Sequence, residues 1–228
     1  YLLNLVVSTD KPVVMTGSMR PSTSVSADGP LNLLNAVTVA ASTQARGRGV
    51  LVSMNQQIHA ARFVAKTHTT NVDAFQSPDF GPVGRVIDGN VLFAGYPSRR
   101  NTINSEFSVG DAADLPRVDI IYGHGHHSRD PVDWAVKAGA RGIVHAGMGC
   151  GKVFPETYQA LKEAAAGGVV VVRASRVGRG AVTPHSNDQA DGMIPAGDLN
   201  PQKARILLML ALTKTGDQIE IRRIFEEY

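Results

Sequence analysis

VVMTGSMRPSTSVSADGPLNLLNAVTVAA, running from Val13 to Ala41, is the stretch that decides the fold. Val13-Val14-Met15 reads as a short buried strand. Thr16 to Pro30 follows with Gly17, Pro21, Gly29 and a run of hydroxyl and small side chains, the signature of a long polar crossover. Asp28-Gly29-Pro30 then signals a helix start, because Pro suits the first helical position and a carboxylate there complements the positive end of the helix dipole. Beyond it, Leu33, Leu34, Val37, Ala40 and Ala41 fall on one helical face and Leu31 and Val39 on the other. That pattern predicts a helix covered on two sides. A strand that empties through a polar loop into a buried helix is half of a βαβ unit, and ligands bind at such strand ends.

The rest of the chain extends this reading. Tyr1 to Val7 reads as the tail of a helix that begins upstream, stopped around Ser8-Thr9-Asp10. Arg46-Gly47-Arg48-Gly49 breaks the long helix, and Val50-Leu51-Val52 resumes as a strand, an alternation that argues for parallel α/β structure. Asp88-Gly89-Asn90 between two apolar runs predicts a hairpin. Gly95 to Leu115 has few apolar positions, and residues 96–115 read as a linker. A second alternating unit then places strands at Val118 to Tyr122, Gly142 to His145 and Val169 to Arg173, with helices from Pro131, Pro155 and Asn200-Pro201. A last helix spans Asp217 to Glu226. Val169 to Arg173 is apolar almost throughout, as expected of a strand buried on both faces.

Composition closes off other classes. The 228 residues carry 43% hydrophobic and 19% charged residues and a net charge of +3, enough apolar content for one large or two small domains. Lys and Arg never run longer than Arg99-Arg100 or Arg222-Arg223, and no aromatic stacking platform accompanies them, which argues against nucleic-acid binding. No apolar run reaches the roughly 20 residues of a membrane span, so Ile206 to Leu212 reads as core. A lone Cys150 rules out an intrachain disulfide.

Gly17-Ser18-Met19-Arg20-Pro21-Ser22-Thr23, Ser26-Ala27-Asp28-Gly29-Pro30, Asn32-Leu33 and Asn35-Ala36-Val37 resemble the bacterial type II L-asparaginase and glutaminase-asparaginase family. The resemblance continues through Leu199-Asn200-Pro201-Gln202-Lys203-Ala204-Arg205 to the C-terminus. It implies an α/β fold in which residues 1–95 are the parallel-sheet remainder of an N-terminal domain and residues 116–228 a smaller, flavodoxin-like parallel α/β domain. It also implies hydrolysis of the side-chain amide of L-asparagine, or of L-glutamine, by a homotetramer with sites between subunits. Neither a cofactor nor a metal is implied, and the implied location is periplasmic or secreted. The family's nucleophile lies in a Thr-Gly-Gly-Thr-Ile turn, with a Thr-Asp pair following later. Neither is present here in that setting, so the chain alone is expected to be inactive. The alternative is a non-catalytic amino-acid-binding or assembly module derived from the same family.

Four residues carry the expected site. Lys66, in Ala65-Lys66-Thr67, matches the family's Lys-Thr motif; the resemblance implies a catalytic ammonium that holds an Asp carboxylate and favours deprotonation of a hydroxyl or water. Ser18 falls where the family's backbone carbonyl contacts the substrate amide. Lys152 falls on a turn, Gly147-Met148-Gly149-Cys150-Gly151, that reaches a neighbouring subunit's site and usually carries Asn or Ser there. Asn187 matches the Glu that binds the substrate's α-ammonium, with Asp188 next to it as the alternative. The glycine turn lacks the spacing of a dinucleotide fingerprint. His124, His126 and His127 follow a strand at a spacing that can converge on zinc, with Asp130 as a further ligand, but the resemblance assigns them no role. Thr16, Ser22, Thr23 and Asp28 are candidates to line a pocket or to satisfy the loop backbone.

Overall fold

The computed structural model describes residues 1–228, which divide into two compact units, Tyr1–Ser108 and Val109–Tyr228.

In the first unit, α1 (Leu2–Val6) is followed by β1 (Val13–Met15), the crossover, α2 (Gly29–Ala41) and β2 (Val50–Met54). β1 and β2 pair in parallel, with Val13 opposite Val50 and Met15 opposite Val52. The rest of the sheet is antiparallel: β3 (Gln57–Ala60), β6 (Gly84–Ile87) and β7 (Asn90–Phe93) complete the order β1-β2-β3-β6-β7. The sheet is therefore mixed, and the parallel relationship is confined to β1 and β2. Two tight turns account for much of this. Asn55 and Gln56, both at positive φ, reverse β2 into β3, and Asp88-Gly89 does the same between β6 and β7. A separate ribbon pairs β4 (Ala65–Lys66) with β5 (Phe75–Gln76). Val39, Leu51, Ile58, Ala60, Val83 and Val86 form the core.

Two expectations for the opening stretch need correction. β1 is half-buried, with Met15 exposed, because it has a sheet neighbour on one side only. α2 buries Asn32, Asn35, Ala36 and Val39, while Leu31, Leu33, Leu34 and Val37 are half or more exposed. The reason is Asn32, whose amide donates to the Gly17 carbonyl and the Asp28 carboxylate and accepts the Asn55 N–H, at 2.9–3.0 Å. Those bonds turn the asparagine stripe inward and the leucine stripe out.

The second unit is a four-stranded, wholly parallel sheet in the order β11-β10-β9-β8, built from β8 (Val118–Tyr122), β9 (Gly142–Gly147), β10 (Val170–Ser175) and β11 (Met193–Pro195). α3 (Asp130–Lys137) and α4 (Pro155–Ala166) pack on one face through Val132, Ala135, Leu161 and Ala164 against Ile121, Ile143, Val171 and Met193. α5 (Pro201–Lys214) covers the other face. An added Cβ at Gly142, which points away from Ile143, would sit 2.7 Å from Leu208. Asn200 caps α5 through the Lys203 N–H, and Asp217 caps α6 (Gln218–Glu227) through the Ile219 and Glu220 N–H groups. Ile206 to Leu212 lies in core helix, as read. β9 is buried along its whole length, which is what layering helices on both faces requires.

Candidate functional site

The crossover in the first unit is held by two polar residues, Thr16 and Asp28. Thr16 donates its hydroxyl to the Ser53 carbonyl at 2.8 Å, tying the end of β1 to β2. Asp28 accepts the N–H groups of Met19 and Arg20 at 2.8–3.1 Å, and its carboxylate accepts no backbone N–H of its own helix. Burial pushes the Asp28 carboxyl up, but those N–H groups outweigh it and hold the carboxyl below its ordinary value. The backbone-satisfying reading of Thr16 and Asp28 is therefore the one the geometry supports, and the capping role of Asp28 is not observed. Ser22 and Thr23 are exposed and make no side-chain hydrogen bond.

Ser18 is exposed in this crossover, its Cβ packed near Gly29. Lys66 is exposed on the β4–β5 ribbon, opposite Phe75 in register. Its ammonium lies 5.9 Å from the centre of the Phe75 ring and makes no ion pair. No hydrogen bond joins Ser18 to Lys66. The one Thr-Asp dipeptide in the chain, Thr9-Asp10, is structural: Thr9 accepts the Lys11 N–H and Asp10 pairs with Arg46 at 2.5 Å.

In the second unit, Lys152 and Asn187 come together on one cavity of about 420 Å³. Lys152 sits on the turn after β9, fixed by a two-way backbone bridge to Met148 at 2.8 and 3.0 Å. Asn187 is exposed on the 183–191 loop. Arg173 joins the two segments and was read in the sequence only as the end of an apolar strand. Its Nε and Nη2 donate to the two carboxylate oxygens of Asp188 at 2.7 and 2.6 Å. Its Nη groups also donate to the carbonyls of Cys150 at 3.3 Å and Thr183 at 3.2 Å. Both side chains of the pair are about nine-tenths buried, as paired buried charges must be. The Asp188 carboxylate, which also accepts the His185 N–H, is thus fully engaged. Cys150 is exposed; Thr183, through its hydroxyl and its N–H, holds the thiol below its ordinary pKa.

The histidines are not gathered into a cluster of metal ligands. The His124 and His127 rings lie tilted to each other at 4.4 Å and those of His127 and His145 stack at 6.2 Å, but no group of three His, Cys, Asp or Glu side chains is placed to hold a metal ion. His145 is fully buried on β9, and neither ring nitrogen has a hydrogen-bond partner. Burial, with His127 and Arg173 adding to it, pushes its pKa down to about 4.

One unit with a wholly parallel sheet, and one with a mixed sheet and a polar crossover from β1 into α2, define a two-unit α/β protein. Residues 1–99 match the family model for the N-terminal part of asparaginase, and residues 117–225 that for the glutaminase/asparaginase C-terminal domain. The chain is 49% identical over its whole length to L-asparaginase 2 of Bacillus subtilis and 46% identical to a probable periplasmic L-asparaginase of Haemophilus influenzae. It spans 60% and 66% of those two proteins. The crystal structure of a probable cytoplasmic L-asparaginase from Campylobacter jejuni superposes with a TM-score of 0.97 at 47% identity, over all of this chain and 75% of that one. The chain belongs to the glutaminase/asparaginase family.

Proposed function

We propose that these residues are the larger part of an L-asparagine amidohydrolase, with L-glutamine as a possible second substrate, assembled as a homotetramer with sites between subunits. The observation that carries the reading is the likeness to L-asparaginases over the whole chain, with Lys66 standing unpaired on its exposed ribbon. In the reaction a threonine hydroxyl attacks the side-chain amide carbon, the C–N bond breaks, and ammonia leaves. Water then opens the acyl-threonine ester to release aspartate. Lys66 contributes a fixed positive charge beside an acid that takes the hydroxyl proton. Ser18 supplies backbone to the amide end of the substrate, and Lys152 and Asn187 lie toward its other end. The threonine comes from outside these 228 residues, so the chain alone is expected to release no ammonia.

The second reading, a binding or assembly module without chemistry, is favoured by one observation: no unengaged carboxylate is found on the cavity that holds Lys152 and Asn187. A coupled ammonia assay separates the two. The chain joined to the N-terminal third of the Bacillus subtilis relative turns over L-asparagine on the first reading and stays silent on the second. Relatives are named for both periplasm and cytoplasm, and no helix here is long and apolar enough to cross a membrane.

A further inference from the structure

We propose that the segment joining β8 to α3, residues 123–128, is an acid-released strap, held on the sheet by the neutral rings of His127 and His145 and freed when one of them takes a proton. This goes beyond the amidohydrolase reading and does not rest on it.

The strap is drawn close to β9. Its Gly123 N–H donates to the Ala146 carbonyl at 2.9 Å, and a Cβ added at Gly123 would lie 3.1 Å from Cε1 and Nε2 of His145. The His127 ring lies between the other two, 4.4 Å from that of His124 and 6.2 Å from that of His145. His127 and His145 are both buried, and neither nitrogen of His145, nor Nδ1 of His127, has a hydrogen-bond partner. A charge placed there would be buried without a partner, so the closed strap requires neutral rings.

No carboxylate acts on either ring. Arg173, opposite His145 on β10, and His127 on the strap both add to burial in holding the His145 pKa down to about 4. His127 is lowered by burial and by its neighbour His124. Arg173 is committed to Asp188, and Arg129 to Asp133 and Glu163, while Arg176 donates to the Gly123 carbonyl at 2.8 Å. Asp130 at the start of α3, Glu156 at the start of α4 and Lys152 after β9 are exposed, and none of them shifts either ring.

Both rings therefore hold a proton less readily when packed than when free. The closure they support is complete above about pH 6.5 and is lost as the pH falls from there. The strap yields before the sheet because it is tied more sparsely. Besides the Gly123 bonds, the Thr157 hydroxyl reaches the carbonyls of His127 and Ser128 at 3.1 and 3.2 Å, and residues 124–126 are exposed. His145, by contrast, lies on a strand paired on both sides. Opening the strap wets His145 without breaking a strand, at the carboxyl end of a parallel sheet, where ligands bind.

Hydrogen exchange of the full chain, read residue by residue by NMR as protection factors near pH 7.5 and near pH 5, tests this. A ring at about 4 when packed and about 6.5 when free favours opening by about thirtyfold near pH 5. The Gly123 amide should therefore lose protection by about tenfold or more, and the β9 and β10 amides clearly less. His145→Gln should shrink that loss, as should His127→Phe, which keeps a ring that cannot be protonated. Should either variant fail to fold, the unaltered chain still decides. Gly123 protection that is unchanged by acid, that falls in step with the β9 and β10 amides, or that falls as far in both variants would overturn the strap. Exchange is read without substrate, so none of these results bears on the ammonia assay.

Discussion

Arg173 commits its whole guanidinium to holding two loops together, and that makes it the residue whose loss should be felt furthest. Arg173→Leu would leave Asp188 buried and unpaired, a change expected to destabilise the unit by about 3–5 kcal/mol. Urea unfolding of the single variants and of the Arg173→Leu, Asp188→Leu double variant checks it. The double variant should recover much of the loss, because it removes the stranded charge. If the two single costs simply add, the pair is not coupled as the geometry requires. Neither partner could be matched from sequence, since a buried Arg–Asp pair fifteen residues apart has no local signature. Asn32 is similar: it was legible as an identity shared with a family, but its inward direction comes from bonds to Gly17, Asp28 and Asn55 that sequence spacing does not encode.

At the scale of elements, the helices of the second unit were legible because each start carries its own chemistry. Pro131, Pro155 and Pro201 lie in first turns, and Asn200 and Asp217 accept the N–H groups expected of caps. The β6–β7 hairpin was legible through Asp88-Gly89. The β2–β3 hairpin was not, because Asn55-Gln56 adopts the same positive-φ turn without the glycine that announces it. β11 and the β4–β5 ribbon are two or three residues long, too short to show a period. α2 shows a further limit of pattern. Its leucines were read as a face to be covered, yet the helix turns its polar stripe to the sheet. Close approach marks a testable point at the end of β9. A Cβ on Gly147 would lie 2.5 Å from the Lys152 carbonyl oxygen and 2.7 Å from the Gly151 carbonyl carbon, both backbone atoms. Gly147→Ala should therefore cost about 1–3 kcal/mol by strain and push the Lys152 turn outward. Thermal unfolding with the Cys150 thiol as a reporter of the turn checks it; unchanged melting and unchanged thiol reactivity would show that the turn yields freely.

Across the whole molecule, each unit buries one histidine completely, His59 in the first sheet and His145 in the second. Burial pushes both to about 4, from an ordinary 6.5. Each ring is therefore neutral when folded at a pH where the unfolded chain binds a proton. The stability contributed is complete above about pH 6.5 and is lost as the pH falls from there towards 4, by about 3 kcal/mol for each ring. Unfolding free energies measured across that window should fall with acid, and His145→Gln should flatten the profile of the second unit; an unchanged profile would contradict the assignment. The family and the α/β class were legible because long polar identities such as Gly17–Thr23 are not dictated by packing. The site was legible only as separate residues, because its charges are decided by partners distant in the chain. We propose Lys66 as the catalytic cation of an amide-hydrolysing site. Its most direct test is the ammonia assay on the chain joined to the N-terminal third of its Bacillus subtilis relative, with and without Lys66→Met. Turnover of L-asparagine should fall by about a hundredfold or more in the Lys66→Met protein, with its fold intact. Turnover unaffected by Lys66→Met, or robust ammonia release from the 228-residue chain alone, would contradict it.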